Sequence, residues 1–220
     1  MRMRRKRRLD SRMMSCGHLL VPEPEMFCGC WLEEFSSDGL LSEELRYEEL
    51  HIELGCGKGI FTVETAKKMP KSLILGLEKI SNVLVVAMER AGEENIKNVR
   101  FINRLADDLT SFFAESEISR IYINFCDPWP ANRHKKRRLT GQQFLEKYKR
   151  VLKPNGEIHF KTDNLPLFEF SLEELEKNGF TLSEVSYNLH EFKPAGVMTD
   201  YEMKFYEQGI KINRCVAAIS

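Results

Sequence analysis

The sequence predicts an α/β protein built on a mostly parallel seven-stranded sheet with helices on both faces. Three observations support this fold. Short apolar runs alternate with stretches of helical period, a glycine-rich turn follows the first run, and polar residues follow the ends of several runs. A chain of 220 residues suffices for one such domain with a short extension, but not for two independent globular halves.

The predicted elements alternate from residue 50 onward. Strands are predicted at residues 50–54, 72–77, 99–102, 120–125, 156–160, 182–187 and 210–217. Helices are predicted at residues 59–69, 81–94, 140–152 and 165–178, with stop signals at 153–156 and 178–179. Repeated strand–helix units form parallel sheets whose ligand sites lie beyond the carboxyl ends of the strands. Functional residues are therefore expected directly after each strand.

The first 48 residues differ in composition from the rest. The chain has 33 Lys+Arg and 33 Asp+Glu residues, so its net charge of zero does not indicate a binding partner. Basic residues are nevertheless concentrated at the start, as Arg2, Arg4, Arg5, Lys6, Arg7, Arg8 and Arg12. The sequence therefore predicts a basic arm and appendage at residues 1–48, followed by one domain at residues 49–220.

The lengths of the apolar runs and the spacing of the cysteines indicate the cellular compartment of the protein. No apolar run approaches the eighteen or so residues of a membrane span, and no signal-peptide core follows the basic start. A cytoplasmic protein with no membrane segment is predicted, its six cysteines reduced. Cys28 and Cys30 form the one close pair, and no second Cys/His pair stands at zinc-finger distance, so no metal is predicted.

The turn after the first strand reads Glu-Leu-Gly-Cys-Gly-Lys-Gly, from Glu53 to Gly59. A dinucleotide site would have Gly-x-Gly-x-x-Gly, and here the third glycine comes one residue early. Glu53 would repel a pyrophosphate but suits a ligand with an ammonium and a sulfonium. The turn therefore favours S-adenosyl-L-methionine over NAD, the alternative being a turn without a ligand.

Glu78 follows the second strand, about twenty residues beyond the glycines, where α/β folds place the acid that accepts from ribose hydroxyls. Alone, such a residue is commonly only a charge at a helix N-terminus. Together, Glu53 and Glu78 give the general pattern of a Rossmann-like class I methyltransferase.

After the fourth strand, Asp127 stands in the stiff segment Asn-Phe-Cys-Asp-Pro-Trp-Pro, in which two prolines fix φ. Trp129 is a candidate stacking partner for a base, or a core residue. A cationic run follows at residues 133–138. It is interpreted as a phosphate clamp, with a solvated face or a localisation signal as alternatives.

On these residues the sequence resembles the bacterial tRNA (guanine-N7-)-methyltransferase family, which methylates the variable-loop guanine at tRNA position 46. The resemblance runs from residue 50 to the C-terminus, with a weaker echo at residues 1–4 and 29–31. Its most specific segments are residues 127–130 with 133–138, then 159–164 (His-Phe-Lys-Thr-Asp-Asn) and 198–202 (Met-Thr-Asp-Tyr-Glu).

The resemblance implies a cofactor, S-adenosyl-L-methionine, and a tRNA substrate. It implies that the cofactor is bound by Glu53, Gly55, Gly57, Glu78, Leu105, Ala106 and Asp127, with Asp127 also catalytic. The implied substrate residues are Asp163, Thr199, Asp200, Tyr201 and Glu202. The implied RNA-binding residues are Arg133, His134, Lys135, Lys136, Arg137 and Arg138.

Three positions depart from the family pattern. Leu105 stands where the family has an acid near the adenine, which leaves a backbone contact from Leu105 or Ala106, or a shifted role for Asp107. Ala131 replaces a substrate-contacting lysine, and Lys6-Arg7-Arg8 replaces a Lys-Pro-Trp sequence near the start.

Guanine N7 carries no proton, so no strong general base is required. Asp127 is expected to orient the base and stabilise the positive charge that develops on the ring. Residues 199–202 also match a capping box, a role that can coexist with guanine binding. Three alternatives remain open at this point: an exocyclic-amine methyltransferase, an NAD-dependent oxidoreductase and a non-catalytic RNA-binding module. Either a monomer or a homodimer is compatible with the sequence.

Overall fold

A single sheet organises the described residues, which are 8–36, 46–191 and 196–219 of this computed structural model. Its strands are β1 (Glu49–Leu54), β2 (Ser72–Leu77), β3 (Val99–Ile102), β4 (Ile118–Asn124), β5 (Leu152–Thr162), β6 (Phe180–Ser186) and β7 (Asn213–Ile219). Their order is β3-β2-β1-β4-β5-β7-β6. Strands β1 to β5 pair in parallel, and β7 is antiparallel to both of its neighbours. The predicted seven-stranded, mostly parallel sheet is confirmed.

Eight α-helices lie within the described ranges. They are α1 (Leu9–Ser15), α2 (Trp31–Ser36), α3 (Ile60–Lys68), α4 (Ser81–Glu93), α5 (Leu109–Phe112), α6 (Gln142–Val151), α7 (Leu165–Lys177) and α8 (Asp200–Glu207). The four predicted helices are α3, α4, α6 and α7, each within two residues of its predicted ends. None of the helices in the described ranges has the length and apolar character of a membrane span.

Strand β5 begins four residues earlier than predicted. Helix α6 ends at Val151, where the predicted stop signal follows, but the chain enters the sheet at once because Leu152 pairs with Ile118. The pairing register then shifts and resumes at Glu157 opposite Arg120. Residues 153–156 therefore form an irregularity within the strand and not a separate turn.

The two faces of the central strands differ in chemistry because side chains alternate along a strand. On one face, Ile121, Ile158 and Phe160 are fully buried in the main apolar cluster, together with Phe168 of α7. The opposite face carries polar residues, as the contact between Glu53 and Asn124 and the packing of Tyr122 on His159 illustrate.

The described part of the N-terminal extension packs onto the sheet domain. Helix α1 packs on α4. There, Nε and Nη2 of the Arg12 guanidinium donate to the two carboxylate oxygens of Glu89 at 2.6 and 2.5 Å. Trp31 is fully buried, and its indole N–H donates to the carbonyl of Phe112 at 2.9 Å. The predicted boundary at residue 48 stays a prediction, and residues 1–7 of the basic arm lie outside the described ranges.

The strand order reverses direction between β1 and β4, which lie side by side in the sheet although β2 and β3 separate them in the chain. In an open α/β sheet, the crevice beyond the carboxyl ends of the strands at such a reversal is the common ligand site. The ends of β1 and β4 are Leu54 and Asn124. The glycine turn and the Asp127 segment therefore meet at this crevice.

Candidate active site

The three glycines after β1 have two different structural roles. All of them have positive φ, +77° at Gly55, +58° at Gly57 and +75° at Gly59. A Cβ at Gly55 or Gly57 would meet no atom within 4 Å, whereas a Cβ at Gly59 would lie 2.5 Å from that of Ala87. The first two therefore leave open space beside the backbone for a ligand, and the third allows α3 to pack closely on α4.

Glu53 is a buried carboxyl group in a hydrogen-bonded setting. It is 2% exposed and accepts from Thr62 Oγ1 at 2.5 Å and from Asn124 Nδ2 at 3.0 Å. Burial raises the pKa of Glu53 to about 7, although these two hydrogen bonds and the charge of Lys161 act in the opposite direction. A cationic ligand at this position would favour the ionised form.

Glu78 lies beside the glycine turn, as its predicted role requires. One carboxylate oxygen accepts from the backbone N–H of Gly57 at 3.3 Å and the other from that of Ile80 at 2.9 Å. Asn103, after β3, donates to the Glu78 carbonyl at 2.7 Å and accepts from Ser81 Oγ at 2.8 Å. Asn103 thus joins the ends of β2 and β3, a role that the sequence did not predict.

Leu105 and Ala106 lie after β3. Leu105 is 49% exposed, and Ala106 begins a 3₁₀ turn and packs partly against the main apolar cluster. Asp107 lies beside Lys147 of α6, whose ammonium donates to the Asp107 carbonyl at 2.7 Å. The structure thus presents an apolar surface at the position where the family has an acid, and Asp107 is engaged with a different helix.

The segment after β4 combines backbone strain with firm anchoring. Phe125 and Trp129 have φ of 51° and 43°, values that are uncommon for non-glycine residues and cost conformational energy. The Phe125 N–H donates to the carbonyl of Lys161 at 2.9 Å. Asp127 is exposed between these two residues.

Arg138 fixes the segment after β4 by hydrogen bonds to its backbone. Its guanidinium donates to the carbonyls of Pro128 and Trp129 at 3.0–3.3 Å and lies 4.3 Å from the ring centroid of Phe170. Arg138 is only 8% exposed. The Arg138 guanidinium is therefore engaged in fixing the loop, and its expected contact with a phosphate stays a prediction.

The remaining cations of the run face outward on a 3₁₀ turn, Asn132–Arg137. Arg133, Lys135, Lys136 and Arg137 are exposed. The Arg137 guanidinium lies 4.9 Å from the ring centroid of Trp129, and His134 meets the same ring edge-on at 5.6 Å. Trp129 is half-buried, so it is not a core residue.

Helix α8 brings the 199–202 segment to the ends of β4 and β5. The predicted capping box is present: Thr199 Oγ1 accepts from the Glu202 N–H at 3.0 Å, and the Glu202 carboxylate accepts from the Thr199 N–H at 3.4 Å. Tyr201 is 61% exposed, with its ring centroid 6.4 Å from that of Phe125. Asp163 is exposed directly after β5, and Asp200 is half-buried.

Glu202 differs from the expectation of a guanine contact. It is fully buried, bonded to Lys161 Nζ at 3.0 and 3.1 Å and to His190 Nε2 at 2.7 Å. Thr199 is likewise buried at 8% exposure. Both residues are therefore engaged in holding α8 in place, which leaves Asp200 and Tyr201 as the accessible members of the segment.

The close cysteine pair lies apart from this crevice. Cys28 is an exposed residue. Partial desolvation of its thiol and the negative charge of Glu117 raise the pKa of that thiol. Glu117 also accepts a hydrogen bond from the Gly29 N–H at 3.1 Å. Among the described residues, no three His, Cys, Asp or Glu side chains are grouped so that they could hold a metal ion.

The sheet order with an antiparallel β7, the open glycine turn and the acids at the carboxyl ends of β1 and β2 define an α/β methyltransferase of the S-adenosylmethionine-dependent class. Residues 47–215 match a family model described as "Putative methyltransferase". The chain is 44% identical over 218 residues to the tRNA (guanine-N(7)-)-methyltransferase of Geobacillus thermodenitrificans, covering 99% of this chain and 97% of that protein. It is 45% identical over 216 residues to the protein of the same name from Geobacillus sp. strain WCH70, covering 98% and 94%. The chain belongs to the tRNA (guanine-N(7)-)-methyltransferase family.

Solved structures share the fold at low sequence identity. The 16S rRNA methyltransferase KamB superposes with a TM-score of 0.62 at 15% identity, over 81% of this chain and 92% of that one. A SAM-dependent methyltransferase from Aquifex aeolicus gives 0.56 at 16% identity, over 94% and 98%. These likenesses confirm the Rossmann-like class I fold.

Proposed function

We propose that this protein transfers the methyl group of S-adenosyl-L-methionine to N7 of a guanine in tRNA, at position 46 of the variable loop. The family membership supports the reaction. The observation that carries the proposal is the meeting of an open, acid-flanked glycine turn with the exposed Asp127 at the reversal between β1 and β4. A surface of four exposed cations adjoins the same loop.

The residues of the glycine turn fit the cofactor. Space beside Gly55 and Gly57 admits a ligand to the backbone, and the buried Glu53 carboxylate suits a cationic group. Glu78 retains acceptor capacity for ribose hydroxyls beyond its two backbone bonds. Leu105 offers an apolar surface for the adenine. When bound, S-adenosyl-L-methionine supplies an electrophilic methyl group on a sulfonium.

The chain's own part in the chemistry is positioning and charge stabilisation. Since guanine N7 carries no proton, no residue has to remove one. Asp127 orients the base and stabilises the positive charge that develops on the ring. Asp163, Asp200 and Tyr201 surround the guanine, and Phe125 and Tyr201 offer aromatic faces to it.

The exposed cations of the run bind the tRNA backbone, which supplies affinity without base specificity. They are Arg133, Lys135, Lys136 and Arg137, accompanied by His134. The basic residues of the N-terminal arm contribute further positive charge for tRNA binding. We further propose that the protein acts in the cytoplasm as a monomer or homodimer, with residues 49–220 as the methyltransferase domain.

The test is incubation of purified protein with unmodified tRNA and methyl-labelled S-adenosyl-L-methionine, followed by nucleoside analysis. We expect 7-methylguanosine, and no label in a matched transcript with adenosine at position 46. Methylated adenine or cytosine would instead identify an exocyclic-amine methyltransferase. A protein that binds tRNA but shows no cofactor affinity would be an RNA-binding module.

A further inference from the structure

Asn124 is the last residue of β4, and its side chain reaches Glu53 on the neighbouring strand β1. The Asn124 amide donates to one oxygen of the Glu53 carboxyl group, Oε1, at 3.0 Å. The other oxygen, Oε2, accepts from the hydroxyl of Thr62 on α3 at 2.5 Å. Each carboxyl oxygen of Glu53 therefore has its own side-chain donor, one from the sheet and one from a helix.

Both contacts lie in the protein interior. Glu53 is 2% exposed, Asn124 8% and Thr62 0%. A hydrogen bond is electrostatically stronger in such a low-dielectric setting than in water, and a buried polar group without a partner is costly there. The three side chains thus compensate one another's burial, and neither donor can be removed without changing the environment of the Glu53 carboxyl group.

The backbone of Asn124 leads directly into the segment that carries Asp127. Asn124 is paired with Lys161 in the sheet register, and the N–H of the next residue, Phe125, donates to the Lys161 carbonyl at 2.9 Å. The chain then turns, with φ of 51° at Phe125. The residue that contacts the Glu53 carboxyl group is therefore also the one at which this segment leaves the sheet.

Both hydrogen bonds favour the ionised form of Glu53. Burial raises the pKa of Glu53 to about 7, and the bonds from Thr62 and Asn124 act in the opposite direction. The direction follows from the chemistry of the groups, because an amide N–H can only donate and a carboxylate accepts more strongly than a neutral carboxyl group. Without either donor, Glu53 would ionise only at higher pH.

The other charged groups that act on Glu53 come from two further strands. Lys161 of β5 favours the carboxylate through its positive charge, and Glu78, which follows β2, disfavours it. Cys56 and Tyr122 also interact with Glu53, but burial raises the pKa of both groups, so they are uncharged near neutral pH. A test of the two donors must therefore separate their effect from that of Lys161.

We propose that Asn124 and Thr62 are positioning residues for the cofactor, which hold the Glu53 carboxylate ionised and in a fixed orientation for the cationic methionyl end of S-adenosyl-L-methionine. The inference rests on the proposed contact between Glu53 and the cofactor, and both side chains act through Glu53. Since the cofactor binds the ionised carboxylate, every group that favours ionisation of Glu53 also favours cofactor binding.

The test is calorimetric titration with S-adenosyl-L-methionine at several pH values, using Asn124→Leu and Thr62→Val. Each change removes one donor and keeps a side chain of similar size. The measured quantity is the ratio of the variant Kd to the wild-type Kd at each pH, so that ionisation of the ligand itself cancels. We expect a ratio of about ten below pH 7 that falls toward one at higher pH, where Glu53 is ionised in every protein.

Thr65→Val is the matched control for Thr62→Val. Both threonines are buried on α3, but Thr65 Oγ1 has no hydrogen-bond partner among the described residues. The same change of atoms at position 65 should leave the Kd at its wild-type value at every pH. A pH-dependent loss of the same size in Thr65→Val would overturn the proposal.

The shape of the pH profile distinguishes positioning from a general effect on the fold. A residue that only stabilises the fold would give the same ratio at every pH, and such a flat profile would overturn the proposal. Wild-type affinity at all pH values in both variants would overturn it as well. If Asn124→Leu does not fold, the profile of Thr62→Val decides alone.

The Glu53→Gln background separates the two donors from Lys161. Asn124→Leu should add no pH-dependent loss to Glu53→Gln, because the amide at position 53 does not titrate. A further pH-dependent loss would assign the effect to another group and overturn the proposal. Wild-type affinity in Glu53→Gln would overturn both the proposed cofactor contact and this inference. Because the titration requires no RNA, a protein that gives the expected profiles but forms no 7-methylguanosine would refute the proposed reaction and support this inference.

Discussion

Lys161 Nζ lies 3.0 and 3.1 Å from the two carboxylate oxygens of Glu202, and this buried ion pair joins the end of β5 to the start of α8. The same ammonium donates to the Val197 carbonyl at 3.0 Å. Burial lowers the pKa of Lys161, while the charge of Glu202 opposes that shift. The strand that precedes Asp163 and the helix that carries Tyr201 are thereby held in one arrangement.

Removing one member of this pair should be costly. Lys161→Met leaves the Glu202 carboxylate buried with His190 as its remaining side-chain partner, and breaking a buried pair costs about 3–5 kcal/mol. We expect urea denaturation to give this loss, and the Lys161→Met/Glu202→Gln double variant to lose less than the sum of the single changes. Additive losses would mean that the two groups do not stabilise the fold through each other.

Cofactor affinity should depend on pH through Glu53. Because its pKa is raised to about 7, the ligand-free protein loses stability as pH rises from the ordinary value of 4.5 through about 7. A cationic ligand favours the ionised carboxylate, so affinity should increase as pH rises through about 7, with a proton released on binding. Calorimetry in buffers of different ionisation enthalpy measures this proton. Glu53→Gln should bind more weakly and lose this component of the release, and an unchanged release would exclude Glu53 as its source.

Asp127→Asn should lower kcat more than tRNA affinity, since the change keeps the shape and removes the charge that orients and stabilises the guanine. Single-turnover methylation and tRNA binding measure the two effects. Wild-type single-turnover rates in Asp127→Asn would rule out the catalytic role.

The exposed cations should determine the salt dependence of tRNA binding. Each phosphate contact contributes about 0.7–0.9 to the slope of log K against log salt, so replacing Lys135, Lys136 and Arg137 by Gln should reduce the slope by roughly two. Cofactor affinity should stay nearly intact. Arg138→Gln, by contrast, should lower the melting temperature and leave the slope nearly unchanged, since Arg138 binds two loop carbonyls.

A wild-type slope in the folded triple variant would contradict this assignment. The RNA path would then have to be sought along the N-terminal arm, from Arg2 to Arg12. Circular dichroism establishes that the triple variant is folded before its slope is interpreted.

Two glycine substitutions should separate cofactor binding from folding. Gly57→Ala places a methyl group in open space at φ +58°, so we expect a conformational cost of roughly 1–2 kcal/mol and a marked loss of cofactor affinity. Gly59→Ala adds a 2.5 Å clash with Ala87 and should lower the free energy of unfolding further. Denaturation curves and cofactor titration of both proteins provide the comparison, and equal stability would contradict the packing role of Gly59.

The sequence predicted the sheet and its main helices because these depend on local periodicity. Glu53, Glu78 and Asp127 were predicted to lie near one another because the carboxyl ends of parallel strands meet at the same edge of the sheet. The predicted start of β5 was wrong because the pairing of Leu152 with Ile118 is a long-range contact with no local signal. The predicted start of β7, at residue 210, was also wrong, because the strand begins at Asn213.

Other parts of the site depend on side chains distant in sequence. In the sequence, Arg138 cannot be distinguished from the other cations of residues 133–138. Its burial depends on Phe170, which α7 brings against its guanidinium. Lys161 and Asn124 were assigned no role, although a signal existed. Polar residues alternate at 120, 122 and 124 and again at 157, 159 and 161, which is unusual in strands buried in a parallel sheet.

The two tryptophans of the chain lie in contrasting places. Trp31 is sealed within the apolar cluster, whereas Trp129 is half-buried beside Asp127 under the Arg137 guanidinium. Intrinsic fluorescence of this protein therefore combines the emission of a fully buried tryptophan with that of one that reports on the loop carrying Asp127. A Trp31→Phe protein would carry a single native reporter, and quenching or a spectral shift on adding tRNA would follow loop engagement in real time without an external dye.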